Sequence, residues 1–221
     1  MAFNHIAAKH KIFELARAHQ FCDPISSRSL SEQSREEELS ALLVLRSQLK
    51  YVNWHQVKLW DIQPDPAHNK DSNARASMSG VTVGSLFRGK ICVVNEFPLM
   101  TTSKPQVQIW GDMKADIVLY ESDHAIVLIE NKVGASFTGC GDDPRYGQLA
   151  RQARYLDSLD GKLERYLMLA SGYDFFNKYW YSSELFRLIE YRKKKRLNKI
   201  KFKLLVWEQI ICPEWQPPNG R

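Results

Sequence analysis

At 221 residues, 44% of them apolar and six of them tryptophan, the chain can bury the core of one ordinary domain, which excludes a disordered protein. The formal net charge of +6 suits a polyanionic partner, although charge governs solubility and steering rather than fold. Cys22, Cys92, Cys140 and Cys212 form no CxxC pair and the six histidines are scattered, so zinc-site spacing is absent and reduced thiols are expected.

Residues 1–21 have helical character, and 29–52 form a stronger helix. Serines precede the acidic first turn of that second helix, and Leu39, Leu42, Leu43 and Leu49 share one face. The start of the chain lacks the basic residues and apolar run of a signal peptide. The runs ALLVL and AIVLI are far too short to span a bilayer. A soluble, cytoplasmic protein without a membrane partner is expected. Residues 61–80, broken by Pro64 and Pro66, read as a long polar loop. Strand signals follow at 89–97, 106–110, 115–120 and 125–132. A Gly- and Asp-rich loop leads to a helix over 147–159. RYLMLAS (165–171) reads as a buried strand suited to a central position. A helix over 181–197, a strand over 201–211 and a short tail complete the chain. This order predicts an α/β sandwich with a mixed sheet. No strand is followed by a glycine-rich phosphate loop.

The hairpin ADIVLYESDHAIVLIENKVG (115–134) carries charges where apolar residues are usual. Strand alternation puts Ile126, Leu128, Glu130 and Lys132 on one face and Val127, Ile129 and Asn131 on the other. Burying either charge alone is costly, so Glu130 and Lys132 need each other, a metal or an anionic substrate. Opposed residues of an antiparallel hairpin have numbers of constant sum. Asp116 opposes Glu130 when that sum is 246, which requires the three-residue loop Ser122-Asp123-His124. A two-residue Ser122-Asp123 turn would instead set Asp116 against Ile129, on the other face, unless a bulge corrected it. Two carboxylates with a lysine suit a hard Mg²⁺ ion next to a phosphodiester.

Asp116 heading DIVLY, followed by IVLIENK with Glu130-Asn131-Lys132, resembles the PD-(D/E)XK nuclease superfamily, the restriction-endonuclease-like fold. REEELSALL (35–43) is similar to that family's N-terminal helix, which often adds an acid. GQLARQARYL (147–156) is similar to the helix that carries a glutamine and a following tyrosine. Ala115 stands where the motif's name has Pro, and the loop before Gln148 is long. The resemblance implies a three-layer α/β/α sandwich with a central mixed sheet. It covers one domain with a core of about residues 30–211, the 61–80 loop as an insertion and 212–221 as the tail. It also implies that Asp116 and Glu130 hold Mg²⁺ or Mn²⁺ with the Asn131 carbonyl as third ligand. Lys132 would orient the attacking water and offset charge on the phosphorane oxygens.

In the helix 147–159, Gln148, Arg151, Gln152 and Tyr155 make a polar stripe opposite Leu149, Ala153, Leu156 and Leu159. An amphipathic surface helix explains this pattern without function. The resemblance draws Gln148, and after it Tyr155, toward the site; Arg151 and Tyr155 are candidate nucleic-acid contacts. Glu36 matches the family's N-terminal acid, with Glu38 as the alternative, although acids suit any helix start. YRKKKRLNKIKFK (191–203) has eight Lys or Arg and no acid. Lys193, Lys194, Lys195 and Arg196 are candidate phosphate contacts, against the plainer reading of a solvated helix end. The aromatic cluster at 173–181 reads as core packing or a dimer surface before base stacking. The expected function is a divalent-metal-dependent nuclease hydrolysing phosphodiesters, DNA first, in phage defence or DNA processing. A two-fold dimer would suit double-strand cleavage. The alternative is a non-catalytic module of the same fold that binds nucleic acid or a nucleotide, or serves as a subunit of an assembly.

Overall fold

The computed structural model describes residues 49, 52–64, 74–99, 114–131, 148–159, 161–176 and 199–218. Their strands are β1 (Lys58–Pro64), β2 (Ala74–Thr82), β3 (Cys92–Pro98), β4 (Lys114–Glu121), β5 (Ala125–Asn131), β6 (Glu164–Ser171) and β7 (Ile200–Val206). The helices are α1 (Gln148–Ser158), α2 (Tyr173–Phe176) and α3 (Trp207–Ile211). The strands form one seven-stranded sheet in the order β2-β1-β7-β6-β5-β4-β3. Parallel pairs β5-β6 and β6-β7 make the centre, and the outer pairs are antiparallel. The chain is therefore an α/β protein with a mixed sheet.

The unbroken apolar run of β6 suits its place as the fourth of seven strands, where side chains on both faces must be buried. Leu167 and Leu169 face the layer built by Leu149, Ala150, Ala153 and Leu156 of α1. Tyr166, Met168 and Ala170 face the opposite layer, which includes Leu49, Val52, Trp54, Val57, Val83 and Phe87. Two cores thus sandwich the sheet, and the strand-alternation rule assigns β5 correctly: Ile126 and Leu128 lie with α1, Val127 and Ile129 on the other side. Arg165, at the first turn-end of β6, donates to the carbonyls of Asp157 (3.4 Å) and Leu159 (2.7 Å). Its cation caps the negative end of α1, where helix carbonyls lack partners.

Three sequence expectations change. Residues 61–64 and 74–80, read as polar loop, belong to the antiparallel pair β1-β2, with Trp60 opposite Met78 and Pro64 opposite Ala74. Proline is tolerated there because Pro64 ends its strand. The strand expected over 201–211 stops at Val206, and Trp207–Ile211 turn into α3. In α1 the polar stripe is only half solvated: Gln148 and Arg151 are half-buried, whereas Gln152 and Tyr155 are buried. The tail is also anchored, since Trp215 packs 5.3 Å from the Tyr173 ring, which itself lies 5.7 Å from Trp60. Tyr173 and Phe176 therefore belong to the core, as core packing required. The helices expected over 1–21 and 181–197, most of 29–52 and the strand at 106–110 lie outside the described residues. Cys92 and Cys212 are free thiols. Among the described residues no helix is long and apolar enough to cross a membrane.

Candidate active site at the C-terminal end of the parallel strands

The β4–β5 hairpin has the register that the three-residue loop demands. Ile117 pairs with Ile129, Tyr120 with Ile126 and Glu121 with Ala125, around Ser122-Asp123-His124. Asp123 takes the left-handed conformation (φ 59°), which a short polar side chain tolerates. The paired register ends at Ile117–Ile129, one residue short of Asp116 and Glu130. Asp116 Oδ2 accepts a hydrogen bond from the backbone N–H of Asn131 at 2.8 Å. That contact ties the first acid to the peptide joining Glu130 and Asn131.

Glu130 is only 1% exposed. A carboxylate so deeply placed is costly unless donors meet it. Gln152 of α1 supplies one, its Nε2 donating to Glu130 Oε2 at 2.7 Å. Glu130 thus points to the α1 side of the sheet. Gln152 is wholly buried, and its Oε1 has no partner among the described residues. On the opposite face the Asn131 side chain is buried, and its Oδ1 accepts from the indole N–H of Trp207. The two side chains flanking the Glu130–Asn131 peptide are therefore each anchored, one per face.

Polar groups continue along this end of the sheet. Asn131 lies beside Ala170, and Ser171, one place further, beside Val206. Glu208, just past β7, is 5% exposed and accepts from the backbone N–H of Tyr173 at 3.0 and 3.1 Å through its two oxygens. Gln209 accepts from the indole N–H of Trp60 at 2.8 Å. In open α/β sheets, the carboxyl ends of parallel strands are where ligands bind. The oxygen donors near Asp116 suit a hard divalent cation: two carboxylates and a backbone carbonyl. Among the described residues no cluster of three or more His, Cys, Asp or Glu is placed to hold a metal, so such a site would need oxygens of other kinds.

No protein-family model, curated protein or solved structure matches this chain. Its chemistry must be argued from its own residues.

The expected site residues divide into three groups. Asp116, Glu130 and Asn131 occupy neighbouring positions of one hairpin. Gln148 sits in the first turn of α1, one turn before Gln152. Arg151 is half-buried, and its Nε is buried without a partner among the described residues. Tyr155, a candidate nucleic-acid contact, is 7% exposed and packs in the α1-side core, where burial raises its phenol above the ordinary value. Glu36, Lys132, Lys193, Lys194, Lys195 and Arg196 lie outside the described residues. Gln152 is the residue that sequence reasoning passed over. It stands in the same polar stripe as Gln148, and its hydrogen bond to Glu130 follows from the packing of α1 on the sheet. Trp207 and Glu208 were read as strand residues; a polar residue directly after an apolar strand was their one available signal.

Proposed function

We propose that the chain is a nuclease dependent on Mg²⁺ or Mn²⁺, with a restriction-endonuclease-like three-layer fold, acting on DNA in phage defence or DNA processing. What supports this reading is the β4–β5 hairpin, in which Asp116 Oδ2 accepts from the N–H of Asn131, the residue after Glu130. Asp116, Glu130 and the Asn131 carbonyl would hold the cation. When bound, the cation supplies Lewis-acid charge at a phosphodiester. Lys132, next in sequence, orients the attacking water and offsets charge on the phosphorane oxygens. A P–O bond forms from the water, and the bond to the departing sugar oxygen breaks, leaving a phosphomonoester and a hydroxyl. Gln148 assists from the first turn of α1, and Glu36 or Glu38 adds an acid. Arg151, Lys193, Lys194, Lys195 and Arg196 meet the phosphate backbone, which makes binding salt-dependent.

The test is incubation of the purified chain with plasmid, linear DNA and RNA, with and without Mn²⁺. Cleavage that needs Mn²⁺ and disappears in Asp116→Asn is expected. Absence of cleavage of all three substrates, or full activity in Asp116→Asn, would remove this assignment.

A further inference from the structure

We propose that Gln152 is a positioning residue for the cation site, acting on Glu130 and on the cation's hydration shell; this rests on the cation-site assignment above. Three observations lead to it. Gln152 and Glu130 are both essentially inaccessible to solvent, at 0% and 1% exposure. The amide Nε2 donates to Glu130 Oε2 at 2.7 Å, which fixes the amide's orientation, because only the nitrogen can donate to a carboxylate. The amide oxygen, bonded to the same carbon as that nitrogen, is buried and has no partner among the described residues.

A buried acceptor left unmade costs free energy, and native proteins rarely leave one without a reason. An acceptor next to a candidate ligand carboxylate is suited to the hydrogens of water. A hard cation of the Mg²⁺ type keeps several of its waters when it binds protein carboxylates. Gln152 would therefore make two contacts with one planar group. Its N–H holds the carboxylate in one rotamer, and its oxygen receives a water of the bound cation. Groups that orient a ligand in this way contribute to affinity without touching the ion. Gln148, in the same stripe, is half-buried, and Gln152, one turn on, is wholly buried and donates to Glu130.

The 221-residue chain should be titrated with Mn²⁺ by calorimetry, as wild type and as Gln152→Met, which keeps an unbranched side chain of similar size. Weakening of Mn²⁺ binding by about 10–100-fold is expected in a Gln152→Met chain with a wild-type circular dichroism spectrum. A merely structural glutamine would lower the melting temperature and leave the Mn²⁺ affinity as it was, and that result would overturn the proposal. Should Gln152→Met fail to fold, the wild type still decides. The Gln152 side-chain amide resonance should move during a Mg²⁺ titration and saturate with the cation's own Kd, and a resonance that stays in place would overturn the role. If the wild type binds no Mn²⁺ at all, the cation-site assignment fails and this inference falls with it. Retention of binding in Gln152→Met removes only the role of Gln152.

Discussion

At the N-terminal end of β6 and β7, Glu164 is half-exposed and meets the Lys201 ammonium at 3.0 Å, while the Tyr166 hydroxyl donates to the same carboxylate at 2.6 Å. At the C-terminal end of the same strands, the carboxylates of Glu130 and Glu208 are buried and receive amide N–H groups, from Gln152 and from Tyr173. The first arrangement neutralises a charge in water. The second fixes the direction of a buried carboxylate with an amide donor. A neutralised surface pair has little left to offer a ligand.

The largest effect should come from the residues of the proposed cation site. Lys132→Ala should slow cleavage by a factor corresponding to about 3 kcal/mol or more, by analogy with other donors to charge that develops in a transition state. Single-turnover rates at saturating substrate measure it, and wild-type rates in a preparation free of contaminating nuclease would move the chemistry elsewhere. Next, Glu208→Ala leaves the Tyr173 N–H buried without its acceptor and should cost about 1–3 kcal/mol in urea unfolding. Glu208→Gln, which keeps an acceptor, should recover part of that loss. Equal midpoints for wild type and Glu208→Ala would show that the contact carries no stability. Trp207→Phe should cost about 1 kcal/mol, since it removes the indole N–H that meets Asn131 Oδ1 and keeps most of the apolar bulk.

The wet end should respond least. Lys201→Met should change stability by about 0–1 kcal/mol at neutral pH, as exposed ion pairs do. Its pH dependence is the more specific signature. The Tyr166 hydroxyl first, and Lys201 second, hold Glu164 below its ordinary 4.5. A lowered carboxylate contributes fully above that ordinary value and loses its contribution as pH falls through the folded one. Lys201 is raised above 10.5, chiefly by its hydrogen bond to Glu164, so its contribution is present below 10.5 and fades as pH rises through the folded value. The stability difference between wild type and Lys201→Met should therefore be flat across neutral pH and shrink at both extremes. Chemical unfolding at several pH values checks this, and a difference that grows in acid would contradict it.

Much of the fold was legible because the signals were local. The apolar run at 165–171 required burial on both faces, and it forms the central strand. The hairpin arithmetic around Asp123 needed only alternation and loop length. The pair β1-β2 was not legible, because Asp, Gln, Pro, Ser and Arg in that stretch read as loop. Antiparallel pairing of one strand with the next, and packing of Trp60 and Met78, override those preferences. The turn into α3 was hidden for a similar reason: LLVWEQII is apolar enough for either structure, and periodicity cannot separate short cases.

For the candidate site, the sequence by itself determined which side chains of β5 share a face and which loop would bring Asp116 across from Glu130. Those follow from a two-residue repeat and a fixed count of residues, and neither needs a distant partner. Tertiary structure decided that Gln152 is the glutamine beside Glu130, that Tyr155 is buried and that Trp207 anchors Asn131 from the other face. In α1, positions 148 and 152 are one helical turn apart on the same stripe, so no periodicity distinguishes them. Gln152 meets the buried Glu130 carboxylate because α1 packs against β6 and β7, through Leu149, Ala153 and Leu156 on the sheet.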